Sequence, residues 1–142
     1  MINYQSDFYS WTQEQAALLR SGRLQELDIE NLIEEIETMG RSEKRELESR
    51  LAVLLVHLLK WRYQPIRRGR SWQLMIDEQR LQFSKMLSGN PGLKSQLEQL
   101  INEAYALAII RSSKETGLEK HVFPESCPWD VAQILDDGFY PN

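Results

Sequence analysis

DIENLIEEIETMGRSEKRELESRLAVLLVHLLKWRYQP, Asp28 to Pro65, decides the fold. Ile29, Leu32, Ile33, Ile36 and Met39 form one apolar stripe, and Leu47, Leu51, Leu54, Leu55, Leu58 and Trp61 form another. A return every third or fourth residue is the period of an amphipathic α-helix, and no period-2 run competes with it. Asp28 offers an N-cap, and the acids that follow suit the positive end of a helix. Gly40 stands near the middle, where a lone glycine costs only about 1 kcal/mol. One long helix is therefore an alternative, since the stripe nearly keeps phase through Ile33, Ile36, Gly40, Leu47 and Leu51. The expectation is a break or kink at Gly40, with Ser42 capping a separate helix that ends at Tyr63-Gln64-Pro65, because proline disfavours helix in the residue before it.

Towards the N-terminus, Asp7 caps a helix through Phe8, Trp11, Gln15, Leu18 and Leu19 to Arg20, and Gly22 supplies a left-handed stop. Beyond PIRRGRS a helix starts around Ser71, with Trp72, Met75, Ile76, Gln79, Phe83, Met86 and Leu87 on one side. SGNPG stops it. Asn90-Pro91 reads as a restart, Asn as cap and Pro in the first turn, of a helix through Leu93, Leu97, Leu100, Ile101, Ala104, Tyr105, Ala108 and Ile109 to Thr116-Gly117. The tail holds one short helix, from about Pro128 to Leu135, that wraps over an apolar seam. The fold class is all-α: an up-and-down bundle of four to five main helices with a short C-terminal helix, one domain over residues 1–142.

Composition narrows the setting. The 142 residues are 42% hydrophobic and 27% charged, ordinary for one domain with a core. The most apolar stretch, Leu51 to Leu59, is about half of what a bilayer requires, so no membrane association is expected. MINYQSDFYS has no basic end followed by an apolar core, and Cys127 is the single cysteine. A reduced, cytoplasmic location is the expectation.

The charge is uneven. Net charge is −5 over residues 1–56, +6 over 57–94 and −5 over 95–142. Lys60, Arg62, Arg67, Arg68 and Arg70 gather at one corner, with no acid among them. Arginine beside aromatics can hold phosphates and stack bases. The pI near 5.3 is far below the usual nucleic-acid-binding domain, and Trp61 and Trp72 fall on apolar stripes, which places them in the core. The first reading is that the corner pairs with Glu30, Glu34 and Glu37, within the chain or in a second subunit. The alternative is a nucleic-acid or anionic-ligand binder through residues 60–70.

Catalytic and metal chemistry find little footing. A di-metal bundle site needs Glu-x-x-His pairs. Leu54 and Leu118 occupy the positions three before His57 and His121, and two histidines are too few for a three-His zinc site. Neither a metal nor another cofactor is expected. Cys127 precedes a short helix whose dipole would lower its pKa, but no base or oxyanion donor can be assigned to it. His57 reads as a mostly buried histidine bonded to a carbonyl or carboxylate.

Several words together, DFYSWTQEQAALLRSGR (Asp7–Arg23), LDIENLIEEIETMGRSEKRELESRL (Leu27–Leu51), HLLKWRYQP (His57–Pro65), SWQLMIDEQR (Ser71–Arg80), ETGL (Glu115–Leu118) and FPESCPW (Phe123–Trp129), resemble the domain of unknown function 29 family. The resemblance covers nearly the whole chain. It implies a small bacterial, mostly cyanobacterial, all-helical protein and brings no activity, substrate, cofactor or catalytic residue. The function expected is a non-catalytic interaction or adaptor domain that self-associates, a homodimer being the commonest symmetric outcome.

Overall fold

The computed structural model describes residues 1–142. It contains five α-helices and no strand: α1 Phe8–Arg20, α2 Ile29–Tyr63, α3 Arg70–Gly89, α4 Leu97–Thr116 and α5 Val131–Leu135, with single 3₁₀ segments in the connections. The chain packs as two compact units, Met1–Ser42 and Glu43–Asn142.

In the first unit the Asp7 side chain accepts a hydrogen bond from the Ser10 amide and starts α1. The chain leaves α1 through Gly22 at φ 71°, the left-handed geometry that glycine adopts without steric cost. Trp11, Gln15 and Leu18 are buried. The indole of Trp11 donates to Asp28 Oδ2 at 3.0 Å, and Gln15 Oε1 accepts from the Asp28 amide at 2.8 Å. These two bonds tie α1 to the start of α2.

The break expected at Gly40 is absent. α2 is one helix of 35 residues, and Ser42 lies inside it rather than capping a second one. Gly40 is not among the residues with positive φ. Glu, Arg, Lys and Leu around it are strong helix formers, and their summed preference exceeds the glycine penalty of about 1 kcal/mol. Arg41 also braces the turn, 3.6 Å from Glu37 and 3.4 Å from Glu34.

The second unit holds the main core. Leu47, Leu51, Leu54, Leu55, Leu58 and Leu59 of α2 pack with Ile76, Phe83 and Leu87 of α3 and with Leu97, Leu100, Ile101, Ala104, Tyr105 and Ala108 of α4. Each such leucine contributes about 1.5–3 kcal/mol by leaving water. α4 ends at Gly117, φ 77°, whose amide returns to Ser113 O. Asn90 departs from expectation. It leaves the next segment uncapped and donates instead to Met86 O at 3.0 Å, closing the end of α3. Residues Pro91–Gln96 form a 3₁₀ segment before α4. The tail does cover the core, burying Phe123, Trp129 and Ile134. Its helix starts later than Pro128, because Asp130 and Gln133 form a capping box that fixes the first turn at Val131.

Candidate functional site

The basic corner divides by role. Lys60 lies 3.3 Å from Glu115 and 5.6 Å from the Trp72 ring centroid. Arg68 donates through Nε to Trp61 O at 2.6 Å and through Nη2 to Pro141 O at 3.2 Å, while its guanidinium covers the Trp61 ring at 5.4 Å. Arg62 sits over Tyr63 at 5.1 Å and is exposed. Arg67 and Arg70 are exposed and have no acidic partner within 4.0 Å. Trp61 and Trp72 are half-buried rather than fully inside. Arg70 opens α3, where the helix dipole disfavours positive charge.

A sixth basic residue matters more to the architecture. Arg80 is fully buried. Its Nε donates to Ile134 O at 2.8 Å and its Nη2 to Phe139 O at 2.8 Å, while Nη1 makes no hydrogen bond within the protein. Burial holds its pKa below the usual arginine value. The Tyr140 ring lies 5.5 Å from the guanidinium, and its hydroxyl donates to Asp77 at 2.6 Å. Arg68 and Arg80 therefore clasp the C-terminal strap by its backbone carbonyls. The signal for Arg80 was present in its spacing, four after Ile76 and three before Phe83, on the buried face of α3.

The acidic residues behave differently. Glu34 and Glu37 both meet Arg41, whereas Glu30 has no basic partner within 4.0 Å. Tyr4 donates to Glu35, and this bond pushes the phenol pKa up to about 12. Asp28 lies below the usual carboxylate range because Asn31 and Trp11 donate to it. Beside these charges runs a row of uncovered apolar side chains. Ile29 is 57% exposed, Ile33 49%, Ile36 62% and Met39 60%.

His57 is half-buried, its Nδ1 2.8 Å from Val53 O, as a helix-anchored histidine would be. Burial raises the Cys127 thiol pKa, the opposite of what a helix dipole would do; α5 starts four residues later, and Sγ donates to Trp129 O at 3.4 Å. No group of three or more His, Cys, Asp or Glu residues lies close enough together to hold a metal ion. No helix is long and apolar enough to cross a membrane. A surface groove of about 730 Å³ borders Tyr63, Ile109, His121 and Phe123.

Neither a curated protein nor a solved structure matches the chain. The model of one family, described as domain of unknown function DUF29, matches residues 3–140, and the chain belongs to that family.

Proposed function

We propose that the chain is a non-catalytic protein-interaction domain, its contact surface the apolar face on the first half of α2. The exposed row Ile29, Ile33, Ile36 and Met39 carries this reading. Scattered surface apolar residues are common, but an aligned row rimmed by charge marks a surface that another protein covers. The rim here is Glu30, Glu34 and Glu37. A reducing cytoplasm suits the lone Cys127 and is part of the same reading.

The test is capture from the native cell by tagged wild-type protein and by an Ile33→Gln/Ile36→Gln variant. Glutamine keeps helix propensity and removes the apolar surface. Proteins, including untagged copies of this chain, that bind the wild type and are lost with the variant support the reading. Identical capture by both contradicts it.

A second reading draws on Arg62, Arg67 and Arg70, three exposed guanidiniums without carboxylates at one corner. They suit an anionic ligand or nucleic acid. Binding of a labelled oligonucleotide would then weaken steeply with salt, with a slope near minus the number of phosphates contacted. Absent or salt-independent binding removes this second reading.

A further inference from the structure

We infer that the partner covering this face is a second copy of the same chain, laid antiparallel along residues 29–45 of α2. The inference rests on the reading of that face as a contact surface. The charge along the helix argues for it. Residues 28–37 hold five acids, Asp28, Glu30, Glu34, Glu35 and Glu37, and no base. Residues 38–45 hold three bases, Arg41, Lys44 and Arg45, and one acid, Glu43. A parallel two-fold pairing would set acid beside acid over the first stretch. An antiparallel one sets the acidic end of each helix against the basic end of the other.

Register follows from the apolar row. Placing Ile36 against Met39 of the second copy brings Glu30 level with Lys44, which flanks the same apolar row at about 100° per residue. Those two residues have no ion-pair partner in their own chain. Glu37, which nears its own symmetry mate at the centre, is already neutralised by Arg41. Ile33, Ile36 and Met39 from both copies then fill the middle of the contact. The surface is complementary to itself under a two-fold axis, as an isologous dimer requires.

Size sets the strength. The strip is about 25 Å long and about 10 Å wide. That footprint is well below the roughly 800 Å² per partner of a standard stable interface. The dimer is therefore weak, and its population depends on protein concentration.

Sedimentation equilibrium of the full chain from about 1 µM to about 1 mM is the first arm. The mass should rise from one chain toward two. Ile33→Gln/Ile36→Gln should raise the dissociation constant more than about 10-fold without loss of helical circular dichroism. The second arm fixes orientation in a Cys127→Ser background. Glu30→Cys and Lys44→Cys proteins, oxidised as a mixture, should give a disulfide dimer containing one of each, and neither alone should cross-link. A chain that stays monomeric throughout overturns the second copy as partner, while cell capture still decides whether the face is a contact surface. A Glu30→Cys homodimer overturns the antiparallel arrangement. A mixture that cross-links Glu30→Cys to Arg67→Cys instead also overturns it and gives the acidic face to the basic corner.

Discussion

Ile29, Ile33 and Ile36 have counterparts eighteen residues further along α2, about five turns and so equivalent in helical phase: Leu47, Leu51 and Leu54. The first three are 57%, 49% and 62% exposed, the second three 0%, 1% and 0%. One helix thus carries one apolar period through two settings. In the second unit α3 and α4 supply the other walls of a core. In the first, α1 is fastened at Asp28 and the isoleucine row has no cover. Periodicity reports that a face is meant to be buried. It does not report by what, and a row left open within a chain is where a partner is to be sought.

Truncation should separate the two halves most sharply. Leu55→Ala empties a fully buried position and should lower unfolding free energy by about 2–5 kcal/mol. Ile36→Ala, at low protein concentration, should change it by no more than about 0.5 kcal/mol. Urea unfolding midpoints measure both, and equal losses would erase the contrast. Next in size is the clasp. Arg80→Met removes the donors to Ile134 O and Phe139 O, and should cost about 1–3 kcal/mol. Proteolysis should then cut the C-terminal strap sooner. Unchanged stability and cutting would mean that Arg80 does not hold it.

Smaller effects sharpen the first half. A methyl group built at Gly40 meets nothing within 4 Å. Gly40→Ala should therefore stabilise the helix, by about 0.5–1 kcal/mol; destabilisation would indicate that α2 bends there. The least effect concerns acid. Asp28 has a folded pKa below its unfolded value, so its contribution is present above the ordinary aspartate pKa of about 3.9 and fades as pH falls through the folded one. Asp28→Asn should remove that part of the acid sensitivity. Identical stability profiles below about pH 4 would show that the Trp11 and Asn31 bonds do not shift it.

Much of the fold was legible because it is local. The leucine period from Leu47 to Leu58, the Asp7 cap and the glycine stops at Gly22 and Gly117 each act within a few residues. What escaped was of two kinds. At Gly40 and Asn90 two local rules competed, and the neighbouring helix formers or the C-terminal carbonyl won. At Arg68 and Arg80 the partners are backbone carbonyls far along the chain, Pro141 O and Ile134 O, which no side-chain pattern encodes. The corner looked like one charged cluster for the same reason: spacing placed its cations together but gave no account of what each one touches. The isoleucine row was visible, and only its exposure was not.

Hydrogen exchange along α2, measured at low and at high protein concentration, tests the central claim most directly. Amides from Leu47 to Leu59 should be strongly protected at both. Those from Ile29 to Met39 should exchange fast when the protein is dilute and slow down as it is concentrated. Equal exchange of the 29–39 amides at the two concentrations would contradict an open face that a second copy covers.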